Sequence, residues 1–330
     1  MNIFHFIYSS CANWLLKKIR EHQVYNLRTE FYRDILGSLI MREIAPKVER
    51  MIANLDDDSK EVVEISIRNI INILTSSPQP YEFSPFQIEH LPLFNAEKCT
   101  YKKKYKLTPD VYLPEVFYTH HGLRFCNPKI REYVKGKFFI DCGAFIGDSA
   151  VVLSNYNPSK ILCFEFSKPT IESLKNNLKR NQIENLVEII PYALSDENRV
   201  TEADTVLDAG ETIISSSESK FSTENSQLSN LTIRRLDDVV MSNNEVGFIK
   251  ADIEGALMKM LKGSVETITR NRPVLSVSIY HNPDELFESK PFLESFLNNY
   301  AFEFHHSNFS ERSLSELILF AYPKEILDNV

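Results

Sequence analysis

The sequence is poor in glycine and tryptophan and lacks paired cysteines. Its 330 residues include 9 glycines, one tryptophan and five cysteines, and no two cysteines have C-x-x-C spacing. C-x-x-C pairs are the usual signal of a zinc or redox site, and an odd, scattered set does not form a disulfide framework. We therefore expect neither a structural zinc site nor a disulfide-rich secreted domain. A reducing, cytoplasmic setting fits this cysteine usage best.

Excess basic charge and long apolar runs are also missing. The formal net charge is -8 and the pI is about 5.6, whereas a general nucleic-acid binder shows a basic footprint. The apolar stretch 3–16 is too short to span a bilayer, and its positive charges follow it, unlike those of a signal peptide. We expect an amphipathic helix packed on the protein, without stable membrane insertion. A membrane-surface helix with Trp14 near the interface is the alternative.

Residues 1–115 are predicted to form a helical region followed by an irregular linker. Apolar residues recur there at helical spacing, and Pro46 is expected to kink or split the segment. A further helix is expected after Asp58, which we interpret as its N-cap. Pro85 and Pro92 predict an irregular stretch between the two regions.

A run of lysines at 102–104, between Tyr101 and Tyr105, adds local positive charge to this acidic chain. The simple interpretation is a solvated loop. The alternative is a contact with an anionic glycan or lipid carrier.

From residue 138 onward, short apolar strands alternate with amphipathic helices. Continuous apolar strands separated by helices predict a parallel sheet that is covered on both faces. One of the helices is expected to run from Leu257 to Ile268. The last two strands have too short a connection for a helical crossover, so they should pair antiparallel. The predicted strands are 138–140, 161–164, 187–190, 247–249, 274–279, 300–304 and 317–320. The predicted fold class is a doubly wound α/β domain over residues 116–330.

Residues 197–230 interrupt this alternation and are rich in Ser, Thr, Asn and Glu. We interpret them as an insertion with a hairpin and a mobile tip. A solvated loop is the simple interpretation of that tip, and an active-site lid is the alternative.

The first strand of the α/β region leads into a turn with two glycines, Asp141-x-Gly143-x-x-x-Gly147-Asp148. Glycine lets the backbone approach a ligand closely. The following helix offers free N–H groups and the positive end of its dipole. Ligands of open α/β sheets bind at such carboxyl strand ends. Two glycines by themselves indicate an ordinary strand–helix turn just as readily.

Polar residues also end the later strands. Glu165 ends the second strand, at a distance after the glycine turn that suits hydrogen bonding to ribose hydroxyls. Asp252 and Glu254 end the fourth strand together with Lys250, where a structural ion pair is the simple interpretation. His281 ends the fifth strand. The Asn282-Pro283 pair after it is predicted to cap a helix.

Together these stretches resemble the FkbM family of methyltransferases over roughly residues 136–285. The ordered set of motifs is specific, although no single piece would be. The resemblance implies a seven-stranded class I methyltransferase fold, S-adenosylmethionine as the methyl donor, and a hydroxyl acceptor on a sugar or polyketide-like molecule. The stretches that carry it are 139–148, 164–166, 191–196, 236–238, 249–255, 261–263 and 273–281.

The resemblance also implies roles for individual residues. Glu165 would hold the ribose hydroxyls, Phe166 would flank the adenine, and Asp252 would face the methyl-transfer cleft. The turn after the first strand would line the methionine part of the cofactor, and the turn after the third strand would flank the adenine. The residues assigned to these two turns are Asp141, Gly143, Ala144, Phe145, Gly147 and Asp148, and Tyr192, Ala193 and Leu194.

For catalysis we predict His281 as the general base, since its ordinary pKa near 6.5 suits neutral pH. Asp252 would orient cofactor and acceptor. No metal site is predicted, because Asp252 and Glu254 alone do not specify a cation. The acceptor is expected to be a small molecule or glycan. Residues 1–115 lie outside the resemblance and are expected to mediate self-association or to shape the acceptor pocket.

Other functions remain open at this stage. A nicotinamide-dependent oxidoreductase would want a third glycine where this chain has Ser149. A P-loop enzyme is excluded, because no Gly-Lys-Ser/Thr follows the turn. A non-catalytic binding protein that keeps the fold is a further alternative, which the presence of the glycine turn and Glu165 disfavours.

Overall fold

The computed structural model describes residues 42–74, 80–208, 211–215, 228–309 and 317–328. The helix predicted at 3–16 lies outside these ranges. The helices are residues 42–52 (α1), Asp57–Leu74 (α2), Pro85–Lys104 (α3), Pro114–Phe117 (α4), Pro128–Val134 (α5), Asp148–Leu153 (α6), Lys168–Arg180 (α7), Leu257–Lys262 (α8), Val265–Asn271 (α9), Pro283–Glu294 (α10) and Glu325–Asp328 (α11). The strands are Phe138–Cys142 (β1), Lys160–Phe164 (β2), Val187–Ile190 (β3), Ala193–Leu194 (β4), Arg199–Asp208 (β5), Glu211–Ser215 (β6), Leu228–Arg234 (β7), Val246–Ala251 (β8), Val274–Ser278 (β9), Tyr300–His306 (β10) and Leu317–Pro323 (β11).

A seven-stranded sheet with the order β10-β11-β9-β8-β1-β2-β3 forms the centre of the protein. The pairs from β9 to β3 are all parallel, whereas β11 runs antiparallel to both of its neighbours. The predicted doubly wound, mostly parallel sheet with one antiparallel late strand is therefore confirmed.

The apolar strands are buried on both faces, as a sheet between two helix layers requires. Successive side chains of β1 point to opposite faces. Ile140 belongs to one apolar cluster, and Phe139 belongs to the other. The ring of Phe139 packs against Phe248 of β8, with ring centroids 5.4 Å apart. This double burial leaves the strand ends, rather than the strand faces, to carry the polar residues of the candidate site.

The helix α2 begins earlier than predicted. Asp56, not Asp58, caps it, because the Asp56 carboxylate accepts a hydrogen bond from the Ser59 amide at 2.7 Å. The helical backbone of α1 also continues through Pro46, so the predicted split does not occur. Pro46 lacks the N–H group for one helical hydrogen bond. That loss is offset because Met51 and Leu55 of the same segment pack in the main core.

The helix α3 corrects a second prediction, since residues 85–104 are helical rather than irregular. Ser84 and Gln87 form a reciprocal capping box, and Pro85 occupies the first turn, where its missing N–H costs nothing. Phe94 and Tyr101 bury one side of this helix in an apolar cluster with Phe117. Burial of that side stabilises the helix despite Pro92.

The lysines at 102–104 form the last turn of α3, so the predicted solvated loop is wrong. Positive charges there are favoured by the negative end of the helix dipole. Lys102 forms an ion pair with Asp110.

The helix predicted from Leu257 to Ile268 is two helices, α8 and α9, which meet at Gly263 and Ser264. A Cβ atom on Gly263 would lie 2.0 Å from the carbonyl oxygen of Ser195. The Gly263 carbonyl also accepts the Asp237 amide at 3.0 Å. The segment around Ser195 therefore passes too close for any side chain at position 263, where the first helix ends.

The predicted insertion forms a second, four-stranded sheet in the order β4-β7-β5-β6. Strands β5 and β6 pair antiparallel as the predicted hairpin. The tip at 216–227 lies outside the described residues, and the lid remains a prediction. Within the part of the chain that the structure covers, no helix is both long and apolar enough to cross a membrane.

Candidate active site

The glycine turn after β1 is held in a shape that only glycine suits. Gly143 has φ +78°, and a Cβ atom there would lie 2.0 Å from the carbonyl oxygen of Asp252. Gly147 has φ +82° and directly precedes α6. The turn can therefore lie close against the end of β8, where the predicted methyl-transfer cleft begins.

A buried ion pair lies beneath this turn. The Lys250 Nζ atom is 3.0 Å from Asp141 Oδ1, and it donates a hydrogen bond of 2.8 Å to the Gly143 carbonyl. Burial raises the pKa of Asp141, and Lys250 opposes that rise. Burial would lower the pKa of Lys250, but the neighbouring carboxylates of Asp141 and Asp252 raise it. Because Asp141 is fully buried, this geometry favours a role in positioning the turn over direct contact with a ligand.

Two polar residues at the start of α6 are also buried. Asp148 accepts the Ser149 amide at 2.9 Å, and burial raises its pKa to about 6. The Ser149 hydroxyl lies 2.9 Å from His121 Nε2. Burial lowers the pKa of His121 to about 3, so this ring is neutral at pH 7. His121 has no signal in the sequence, because it lies before the strand pattern starts.

Glu165 lies directly after β2, beside the glycine turn. Its Oε1 atom accepts the Ser167 amide at 2.8 Å, and only 6% of the residue is exposed. Burial raises the pKa of Glu165, and the Ser167 amide opposes that rise. The amides of Gly143 and Ala144 both donate to the Phe164 carbonyl, at 3.1 and 3.0 Å. These bonds bring the predicted ribose carboxylate and the predicted methionine turn together.

The residues predicted to flank the adenine occupy different environments. Phe166 and Ala193 both pack against a small apolar cluster of Leu231 and Ile233. Leu194 is buried in the main core. Tyr192 lies below the Arg234 guanidinium, which is 5.8 Å from the ring centroid. The structure thus brings Phe166 and Ala193 together and places Leu194 behind them.

The buried Glu165 carboxylate and the Phe166 ring follow β2, beside a turn in which the Gly143 position admits no side chain, and this arrangement fits an adenosyl group. Glu165 offers carboxylate oxygens to hydroxyls, and Phe166 offers an aromatic ring to a base. The residues present therefore suit the cofactor that the sequence predicts, on the carboxyl side of β1 and β2.

The ends of β8 and β9 bring a second group of residues together. His281 Nε2 lies 3.3 Å from Asp252 Oδ1 and 3.4 Å from Glu254 Oε2. His281 Nδ1 lies 3.1 Å from Glu285 Oε2. Glu285 was missed by sequence reasoning, although its place four residues after His281, in the first turn of a predicted helix, could have indicated it. The predicted cap is confirmed, because Asn282 Oδ1 accepts the Glu285 amide at 2.9 Å.

The carboxylates around His281 change its protonation. Burial would lower the pKa of His281, but Asp252 and Glu285 outweigh that effect and raise it to about 10. Burial would likewise raise the pKa of Asp252, but His281 and Lys250 lower it. With no other cation beside it, the ring carries its proton at neutral pH. That state does not favour the general-base role predicted for His281.

Comparison with solved structures shows which proteins this fold is similar to. An FkbM methyltransferase from Methylobacillus flagellatus KT aligns with a TM-score of 0.55 and 17% identity, over 86% of this chain and 60% of that one. This chain therefore spans less than two thirds of that protein. An rRNA methylase from Streptococcus thermophilus aligns with a TM-score of 0.38 and 12% identity, over 64% of this chain and 98% of that one.

One sequence comparison identifies the family at the level of the domain. No curated protein matches the chain. Residues 141–304 match the methyltransferase FkbM domain. That range begins at Asp141 in the glycine turn and includes Glu165, Asp252 and His281. The chain therefore carries a methyltransferase domain of the FkbM family, on a class I methyltransferase fold.

Proposed function

We propose that this protein uses S-adenosylmethionine to methylate a hydroxyl group of a sugar or glycan. One observation carries the proposal. The buried Glu165 carboxylate and the Gly143 turn lie together at the carboxyl edge of the sheet, and the Gly143 position touches the backbone of Asp252. A cofactor held by Glu165 and the Gly143 turn would therefore extend toward Asp252.

Different residues of the protein would bind different parts of the cofactor. Glu165 would accept hydrogen bonds from the ribose hydroxyls, and Phe166 with Ala193 would cover the adenine. The turn from Gly143 to Gly147 would lie along the methionine part. S-adenosylmethionine supplies an electrophilic methyl group when it is bound. Lys250 and Asp141 would keep the turn in place from beneath.

Catalysis would depend mainly on alignment of the acceptor hydroxyl with the methyl group, which can supply a large part of the rate. Asp252 would orient that hydroxyl, since 23% of its side chain is exposed at the cleft. A ring that already holds its proton cannot accept another. We therefore propose that His281 supports Asp252, in place of the general-base role that its sequence position suggests.

The acceptor class follows from charge and from the family. A net charge of -8 does not attract nucleic acid, and the FkbM resemblance implies hydroxyl acceptors on sugar-like molecules. We propose action in the cytoplasm, since the scattered cysteines without C-x-x-C pairs fit a reducing setting. Self-association through residues 1–115 remains a prediction.

The test uses the full-length protein with S-adenosylmethionine that carries a labelled methyl group. The protein is incubated with nucleotide sugars and with glycan, lipid, protein and RNA fractions of a lysate. We expect label in the carbohydrate fraction, stable to alkali as an ether is, and none with Asp252→Ala. Label in protein or RNA instead would overturn the acceptor class. Cofactor binding without any transfer would favour the non-catalytic alternative.

A further inference from the structure

Three side chains at the carboxyl edge of the sheet place their donor atoms around one point. Asp252 and Glu254 follow β8, and His281 follows its parallel neighbour β9. One donor atom from each lies within 4.8 Å of the others. His281 Nε2 is 3.3 Å from Asp252 Oδ1 and 3.4 Å from Glu254 Oε2. Donor atoms about 2.1 Å from a tetrahedral cation lie roughly 3.4 Å apart, so the observed spacing fits a shared cation.

Neither of these two contacts is a hydrogen bond. The His281 side chain is only 9% exposed. Among the described residues, its Nε2 atom and Asp252 Oδ1 are both buried without a hydrogen-bond partner, although they are close neighbours. Buried polar atoms almost always have a partner. Two unsatisfied atoms that lie side by side, one nitrogen and one oxygen, indicate a ligand that both can reach.

Glu285 fixes the ring so that Nε2 faces this point. Its Oε2 atom lies 3.1 Å from His281 Nδ1, and its Oε1 atom accepts the Leu257 amide at 2.9 Å. Glu285 is fully buried. Because a carboxylate accepts, Nδ1 donates, and a bound cation would take the Nε2 lone pair in place of the proton that the ring holds without one. A carboxylate–histidine pair of this kind is what orients histidine ligands in metal sites.

We propose that Asp252, Glu254 and His281 bind one divalent first-row transition cation, with Glu285 as the residue that positions His281. The nitrogen donor favours cations such as Zn²⁺ or Fe²⁺ over Ca²⁺ and Mg²⁺, and the two carboxylates also suit Mn²⁺. Three protein donors leave coordination positions for water or a ligand. The side chain of Glu254 is 48% exposed, so that part of the site is open to solvent.

The position of this site gives the cation a role in methyl transfer. That role rests on the proposed function. Asp252 would hold the cation beside the acceptor hydroxyl. A cation there lowers the pKa of a bound hydroxyl group. The sequence alone specified no metal, because it shows two carboxylates without showing that His281 joins them.

The test measures Mn²⁺ binding to the full-length protein after treatment with a chelator, in the absence of S-adenosylmethionine and acceptor. The electron paramagnetic resonance signal of free Mn²⁺ reports binding directly. We expect one saturable site per chain, displaced by Zn²⁺. We expect His281→Ala and Asp252→Asn each to weaken binding at least 10-fold. Glu285→Gln should weaken it by about 10–100-fold, as loss of an outer-shell partner does.

His305→Ala is the matched control. His305 Nε2 lies 3.1 Å from the Glu303 carboxylate, outside the proposed site, so its loss should leave Mn²⁺ affinity unchanged. Glu254→Gln is a second probe for use if the buried variants do not fold, since its exposed side chain tolerates replacement. The proposal is overturned if the wild-type protein shows no saturable site, or if Glu254→Gln and His281→Ala bind as it does. If Mn²⁺ binds but no methyl transfer is detected, only the proposed function is overturned.

Discussion

The Nζ atom of Lys250 on β8 lies 3.0 Å from Oδ1 of Asp141 on β1, and both side chains are almost completely buried. The same ammonium group donates to the carbonyl of Gly143, at 2.8 Å. The pair therefore links two neighbouring strands to the glycine turn above them. Lys250 precedes Asp252 by two residues, so one strand end carries both the support of the turn and the proposed catalytic carboxylate.

Lys250→Met would leave the Asp141 carboxylate buried without its partner. Loss of one half of a buried ion pair costs about 3–5 kcal/mol, and we expect the free energy of unfolding to fall by that amount. Urea unfolding at neutral pH measures the change. The double variant Lys250→Met with Asp141→Asn removes both charges and should recover part of the loss. An equal loss in the single and double variants would contradict the role of the pair.

Gly143→Ala should lower stability and cofactor affinity by more than the backbone strain of a residue with positive φ explains. The new Cβ atom would lie 2.0 Å from the Asp252 carbonyl oxygen, so β8 or the turn must move. Gly136→Ala is the matched control, because Gly136 has φ +75° and no atom within 4 Å of the added carbon. It should cost only about 1–2 kcal/mol of backbone strain.

The two glycine variants are compared by thermal unfolding and by calorimetric titration with S-adenosylmethionine. We expect Gly143→Ala to melt at a lower temperature than Gly136→Ala and to bind the cofactor at least about 10-fold more weakly, through an added cost above about 1.4 kcal/mol. Equal melting temperatures and affinities would show that the close approach is unimportant.

Glu165→Gln should weaken cofactor binding while it preserves the shape of the side chain. A hydrogen bond to a charged acceptor contributes about 1.5–3 kcal/mol, which corresponds to about 10–100-fold in affinity. Isothermal titration calorimetry measures the affinity. Glu172→Gln on the exposed side of α7 is the control, since that side chain is 67% exposed. A folded Glu165→Gln variant with wild-type affinity would exclude the predicted ribose contact.

His306 should make the protein less stable in acid. Its Nε2 atom lies 2.8 Å from the Ser66 hydroxyl of α2, and burial together with the nearby His305 lowers its pKa to about 4. The unfolded chain, with a pKa of about 6.5, binds this proton more readily. The contribution is therefore complete above about pH 6.5 and is lost as the pH falls toward 4, by at most about 1.4 kcal/mol per pH unit.

The measurement compares urea unfolding at about pH 7 and about pH 5. His306→Gln cannot titrate, so its stability should fall less over this range than that of the wild-type protein. His121 also has a lowered pKa, and it contributes equally to both proteins. Identical pH slopes would mean that His306 is not buried as a neutral ring.

Local patterns predicted the sheet and indicated the residues of the candidate cofactor site. The strand at 138–140 and the glycine turn after it are adjacent in the chain, so one short stretch contains all the residues that predict them. The same holds for Asn282, whose cap on α10 needs only the next three residues. Predictions failed where distant packing outweighed local preference. Pro92 signals a break, yet α3 continues through it because Phe94 and Tyr101 are buried against the domain.

By itself, the sequence determined the succession of the strands along the chain, their burial on both faces, and the polar residues that end them, because these depend on periodicity and on neighbours in the chain. Only the tertiary structure decided which of those ends meet. Asp252 and His281 come together because β8 and β9 pair in parallel, which places their carboxyl ends side by side. Glu285 joins them from α10, the helix that follows β9, and the neighbouring charges then set the protonation of Asp252 and His281 against the effect of burial.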